Sequence, residues 1–366
     1  MLRAAVGVVR RVIIEPWRGR VRGPGLPADA FAVVMATGIV SIAARDTDHA
    51  VVSTVLAVTA SGALGALALW SAISVATTGR AIAAGPDPLA RSLLLFSAVA
   101  ACDVMAACSR SDDVVSVVLG AVAVVLWLVL VPRTLAALRS RPRGARADGA
   151  RGGWLLAAVA TESLALTAAQ LTGAGVLVPV LLGVALACWV LGLAVYLVIA
   201  VPVVRRVVAA RGGVEVLGPD LWVLMGGLAI ATLAGSGVVA ATRASGALPG
   251  LPEMLGPAPV GLWVLGTMWI PVLVAMEIRR RRRAAWHYER ARWATVFPLG
   301  MYSAASSGLA SVGETTGVLP SVLRDTGHVA FWVALVSWCL VTTGFLRQSW
   351  RRPPSLPWRP VGSRPG

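Results

Sequence analysis

Two carboxylic acids stand inside apolar runs of this sequence. Asp103 follows Phe96-Ser-Ala-Val-Ala-Ala-Cys102, and Glu162 follows Leu155-Leu-Ala-Ala-Val-Ala-Thr161. An ionised carboxylate in such surroundings costs several kcal/mol unless it is paired or hydrated. Two roles therefore suit them: exchanging a proton in step with a transported ion, or staying protonated and hydrogen-bonded to a neighbouring segment. Other reactive side chains form no recognisable constellation. Cys102, Cys108, Cys188 and Cys339 lie in or beside apolar runs without the paired spacing of a zinc site or a disulfide framework, and read as small buried hydrophobes. His49, His287 and His328 fall in connections with no second ligand at helical spacing, so no metal site is expected. An intramembrane protease or lipid-modifying transferase is the competing class. An aspartyl protease needs a second membrane aspartate to face Asp103. A serine protease needs Gly-x-Ser-Gly, and Ala234-Gly235-Ser236-Gly237 lacks the first glycine. There is no phosphate-binding loop, and no cofactor is expected.

The elements that must position these residues are membrane helices. Of 366 residues, 57% are hydrophobic and only 14% charged, and the mean hydropathy is +0.78. That is too apolar for a water-soluble domain. Ten apolar stretches, roughly 28–44, 51–76, 89–108, 113–132, 153–171, 175–203, 220–242, 258–278, 294–311 and 327–346, suit the ~30 Å hydrocarbon core when helical. Strict alternation of a barrel strand is missing.

The net charge of +16 does not mark a nucleic-acid binder, because its placement follows topology. All 33 basic residues are arginines. With the N-terminus placed in the cytoplasm, 29 fall in inside segments, while only Arg45, Arg110, Arg243 and Arg324 fall outside. A missed or invented span would scramble that alternation. The expected protein is a multi-pass cytoplasmic (inner) membrane protein with both termini inside. It comprises a basic arm (1–27), a ten-helix transport domain (28–346) and an Arg/Pro-rich tail (347–366). The arm has no convincing small-residue cleavage site and reads as retained. The run Arg279–Arg283 should meet anionic lipid headgroups, and Arg91 stands where it would draw anions towards a mouth.

Side-chain size supplies the next clue. Odd-numbered spans are richer in Gly, Ala, Ser and Thr than even ones, with span two as the exception. Even spans carry Trp70, Trp127, Trp189, Trp263, Trp269, Trp332 and Trp338, whereas Trp154, Trp222 and Trp293 lie only at ends of odd spans. Small residues let helices approach closely in lipid. The expected all-α fold is five hairpins, with odd helices inside around a central pore and even helices outside.

Four segments then carry a resemblance: Phe31-Ala-Val-Val-Met35-Ala-Thr37-Gly38-Ile39-Val-Ser41, Asp220-Leu-Trp222-Val-Leu-Met225-Gly226-Gly227-Leu-Ala229-Ile230, Leu262-Trp263-Val-Leu-Gly266-Thr-Met-Trp269 and Trp293-Ala-Thr-Val-Phe297-Pro298-Leu-Gly300-Met-Tyr302. Their order along ten spans resembles the tellurite-resistance/C4-dicarboxylate transporter family. That family includes plant slow-type anion channels, yeast malate permeases and fungal sulfite efflux pumps. The resemblance implies transport of small anions such as C4-dicarboxylates, sulfite, tellurite or inorganic ions, a ten-helix ring and a homotrimer. It also implies a pore occluded by a phenylalanine of the ninth helix, here Phe297.

Pro298 lacks an amide hydrogen and clashes with the carbonyl four residues back, so the ninth helix is expected to kink near Ala294 and aim Phe297 inward. An apolar plug gates by excluding water. Gly38, Gly227, Gly235 and Gly300 are candidate pore-lining positions, with helix packing as their alternative use.

Overall fold

The computed structural model describes residues 26–78, 87–109, 113–142, 149–175, 177–210, 213, 216–283, 289–312 and 318–350. Ten helical spans make up almost all of it: α1 (Ala32–Asp46), α2 (Ala50–Thr78), α3 (Pro88–Cys108, with a one-residue break at Leu95), α4 (Asp113–Arg139), α5 (Gly152–Leu171), α6 (Val178–Ala209), α7 (Pro219–Ser245), α8 (Pro257–Arg283), α9 (Trp293–Val312) and α10 (Val318–Trp350). Most of the expected arm and tail lies outside the described residues.

The odd helices form a closed inner ring, each packed on the next in the order α1, α3, α5, α7, α9 and back to α1. Each even helix folds back on the odd helix before it, giving five hairpins. Burial separates the layers: the most apolar windows of α5 and α7 are 83% buried, those of α4 and α8 only 17%. The outer helices show a lipid-like solvent their valines, with Val51 79%, Val114 72% and Val198 73% exposed. A chain with these outer faces in water would hold an apolar surface far beyond what soluble monomers tolerate. The outer helices also run past the apolar stretches read from sequence. α10 begins at Val318, ahead of its apolar window, and carries Arg324 and Asp325 exposed on that extension. By contrast α1 has 15 residues, about 22 Å at the helical rise, and suffices because the ring encloses it.

Close approach in the ring depends on absent side chains. A Cβ on Gly226 of α7 would fall 2.9 Å from Pro298 Cγ of α9. One on Gly300 of α9 would fall 3.0 Å from Ile39 Cγ2 of α1. Span two, the compositional exception, is an outer helix nonetheless: Gly62 and Gly65 have nothing within 4 Å of where a Cβ would stand. Those two glycines make no contact with the ring, whereas Ala60 and Ala63 are buried and the Ser53 carbonyl accepts from Ser41 Oγ of α1.

Tryptophans tie the layers together. Trp127 of α4 donates its indole N–H to Thr161 Oγ1 of α5 (3.0 Å), and Trp189 of α6 to the Ala231 carbonyl of α7 (2.8 Å). Trp263 of α8 donates to Ser306 Oγ of α9 (2.9 Å), and Trp338 of α10 to Thr37 Oγ1 of α1 (3.0 Å). Four of the five outer helices, α4, α6, α8 and α10, are thus hairpinned to one inner helix and hydrogen-bonded to the next. A buried indole N–H needs an acceptor, and in lipid only protein offers one.

Candidate functional site

The starting ends of all five inner helices surround one vestibule of about 920 Å³. The chain reaches it through tight local turns. Pro88 opens α3 with Asp87 capping it, the Asp87 carboxylate accepting from the amides of Leu89 (3.0 Å) and Ala90 (3.1 Å). α5 and α7 open as 3₁₀ turns, Gly152–Leu155 and Pro219–Trp222, and a third 3₁₀ turn, Arg290–Arg292, leads into α9. Gly153 N–H donates to the Asp220 carboxylate at 2.9 Å and so joins two of these turns.

Five arginines line the vestibule, Arg91, Arg141, Arg151, Arg206 and Arg290, against three aspartates, Asp29, Asp87 and Asp220. Arg141 pairs with Asp87 at 3.1 Å and lies over the Trp154 ring at 5.7 Å. Arg206 donates to the Ala150 carboxamide oxygen of the main chain at 2.8 Å. Arg91 and Arg151 have no ion-pair partner among the described residues. Such a charge balance in a concave, partly apolar mouth concentrates anions.

Beneath the arginines the lining turns apolar, and each inner helix contributes: Met35 from α1, Leu94 from α3, Leu156 from α5, Val223 from α7 and Phe297 from α9. Phe297 is fully buried, Met35 and Val223 are each 1% exposed, and together they floor the vestibule. The sequence pointed to Phe297 through the resemblance. Met35 and Val223 stand inside the segments that carry the resemblance but had no role assigned, and Leu94 and Leu156 carried no signal beyond being apolar.

Pro298 sits in the second turn of α9, which stays helical on both sides of it, and packs on Gly226. The carbonyl deprived of an amide partner is that of Ala294, itself a lining residue of the vestibule. The four singled-out glycines each meet a neighbouring helix. A Cβ on Gly38 would strike Val104 of α3, one on Gly227 Tyr196 of α6, one on Gly235 Trp189 of α6, and one on Gly300 Ile39 of α1.

Asp103 and Glu162 are both buried away from the vestibule, and their surroundings differ. Asp103 accepts from Ser163 Oγ (2.5 Å) and Thr167 Oγ1 (2.8 Å), so α3 is bonded to α5 through it. Glu162 is 1% exposed, and neither carboxyl oxygen has a hydrogen-bond partner among the described residues. Its side chain fills the space left by Gly192 of α6, where a Cβ would stand 2.5 Å from Oε1.

Two features escaped the sequence reading. His328 lies within α10, not in a connection, and its ring comes 6.5 Å from that of His49, which also packs on Phe331 at 4.8 Å. His287 lies outside the described residues. The second feature is a charged clasp. Glu277 near the end of α8 takes Arg280 (3.1 Å), Arg281 (2.8 Å) and Arg292 (3.7 Å), while Arg280 also meets Glu289 at 3.6 Å. The clasp ties α8 to the turn that starts α9. Part of the Arg279–Arg283 run is therefore bound to protein, and Arg280 is buried.

The family model described as voltage-dependent anion channel, SLAC1, matches residues 25–346, which covers all ten helices except the last turn of α10. Two uncharacterized membrane proteins of Mycobacterium tuberculosis, from strains CDC 1551 / Oshkosh and ATCC 25618 / H37Rv, are each 35% identical over 132 residues. The match covers 36% of this chain and 64% of each relative.

Proposed function

Since this chain belongs to the SLAC1 family of voltage-dependent anion channels, we propose that it passes small anions across the cytoplasmic membrane along the axis of the inner ring, with Phe297 as the gate. One observation carries the reading. An arginine-rich vestibule built by all five inner helices ends on a fully buried phenylalanine. Anions are gathered by charge at the mouth and stopped by an apolar floor, since a stripped ion crosses an apolar constriction only at high cost. The substrates proposed are those of the resembled family: C4-dicarboxylates, sulfite, tellurite or inorganic anions.

On this reading the vestibule faces the cytoplasm, in keeping with the arginine asymmetry of the loops. Pro298 leaves the first turn of the gate helix one hydrogen bond short, which eases movement of Phe297. Gly38, Gly227, Gly235 and Gly300 set the helix spacing that fixes the width of the path. Asp103 and Glu162 are proposed as proton-exchanging acids, Glu162 the more readily because nothing holds its carboxyl. A homotrimer is proposed for the assembly, with anionic lipids at the cytoplasmic arginine loops.

Purified protein in proteoliposomes tests the function. Labelled malate or succinate uptake is compared with chloride and nitrate currents, with and without a pH gradient. Flux of at least one of these anions above empty vesicles supports the reading, and none for any anion with wild type and Phe297→Ala alike refutes it.

A further inference from the structure

The vestibule is far larger than a small anion needs. At ~30 Å³ per water its 920 Å³ corresponds to about thirty waters, the size of cavities that take whole organic ligands. Its arginines come from separate segments: Arg91 on α3, Arg141 after α4, Arg151 before α5, Arg206 on α6 and Arg290 before α9. One chloride cannot touch guanidinium groups spread around such a space. An anion with several charged oxygens can.

The carboxylates do not cancel these arginines. Asp87 is held by Arg141 and two amides, and Asp220 by the Gly153 amide, which leaves Asp29 as the acid whose side chain has no partner among the described residues. Arg91 and Arg151 are then the groups ready to take a ligand. The guanidinium fork fits phosphate oxygens in pairs, and both members of such a bond are charged. The floor supplies the last element. Met35, Val223 and Phe297 are closed against each other's helices, and a ligand that spans several arginines is wider than any path past one phenyl ring.

We propose that the vestibule binds polyvalent soluble anions of the polyphosphate class, held by Arg91 and Arg151, which enter from that side and do not pass the floor. Bound there, they occupy the mouth and stop smaller anions from reaching Phe297. The blocking part of this proposal rests on the anion-conducting reading above; the binding part does not.

Inorganic pyrophosphate is the probe. Titration calorimetry on the purified full chain should give one site per chain, weakened by salt and weakened at least about tenfold in Arg91→Gln/Arg151→Gln, since a hydrogen bond to a charged group contributes ~1.5–3 kcal/mol. Arg324→Gln, at the opposite end of the ring, should bind as wild type. Arg151→Gln alone, at an exposed side chain, should show a smaller loss and serves if the double variant does not fold. In proteoliposomes, pyrophosphate on one face only should halt chloride efflux, and the double variant should resist that block. Binding without flux of any tested anion, in wild type and Phe297→Ala alike, would keep the site and refute the conduction reading. Chloride flux with no saturable pyrophosphate binding, or with equal affinity in wild type, the double variant and Arg151→Gln, would overturn the site.

Discussion

Trp338 of the last helix donates its indole N–H to Thr37 of the first at 3.0 Å, across 301 residues of sequence. The bond closes the molecule. Together with Trp127, Trp189 and Trp263 it makes a repeated device, in which an outer helix hairpinned to one inner helix is fastened to the following one. Because Thr37 lies two residues from Met35, the closure also fixes the α1 part of the vestibule floor.

Trp338→Phe, which keeps the ring and removes the donor, should lower stability by about 1 kcal/mol, the scale of a polar contact between membrane helices. Thr37→Val should cost about the same, and the double variant little more than either, because both delete one bond. Thermal unfolding in detergent checks this. Additive losses would mean the two residues act separately.

The clasp at Glu277 predicts a positioning effect on the gate helix. Glu277→Gln would leave Arg280, Arg281 and Arg292 close together without their shared anion. Repulsion should loosen the Arg290–Arg292 turn and raise anion flux, with about 3 kcal/mol of stability lost because Glu277, Arg280 and Arg292 are largely buried and their charges lose a shared partner. Flux and melting temperature of the purified variant are the readouts. Unchanged flux would confine the clasp to a structural role.

The two membrane acids should separate under mutation. Glu162→Gln should be close to neutral or mildly stabilising, since no partner is lost and a carboxyl without a hydrogen bond is a poor buried group. Asp103→Asn should destabilise by about 1–3 kcal/mol, because its NH₂ meets a hydroxyl donor and a carboxylate acceptor is lost. If Glu162 exchanges protons during transport, its amide variant flattens the pH dependence of flux while leaving the fold intact. The same pH profile in wild type and variant would remove it from coupling.

Much of the architecture was legible because the bilayer imposes simple demands. Span lengths and the placing of arginines indicated ten helices, and small side chains marked the odd ones, α1, α3, α5, α7 and α9, as inner. Composition misleads at α2, where Gly62 and Gly65 lie open and serve no contact with the ring. The site was legible only in part. Phe297 came from resemblance, yet the floor it shares with Met35, Leu94, Leu156 and Val223 depends on how five helices are turned, which apolar identity alone does not encode. The same holds for His49 beside His328 and for Glu277 beside Arg292: their partners are set by tertiary approach, with no local pattern to betray it.

Orientation has its own test. On a cysteine-free background, a cysteine at position 151 in the vestibule rim should react with an impermeant maleimide only in inside-out vesicles, and one at position 324 only in intact cells. Reversed labelling would turn the vestibule outward and with it the direction of anion capture.

The gate is the centre of the account, and Phe297→Ala tests it most directly. The ring is fully buried at the floor of the vestibule, so its removal opens space that water can enter. A phenylalanine that only packed a core would, when truncated, cost roughly 3–5 kcal/mol and add no conductance. The measurement is anion conductance of purified Phe297→Ala in planar bilayers, normalised to correctly inserted protein. The account predicts conductance well above wild type from a folded protein; conductance no greater than wild type, with a lowered melting temperature, would contradict it.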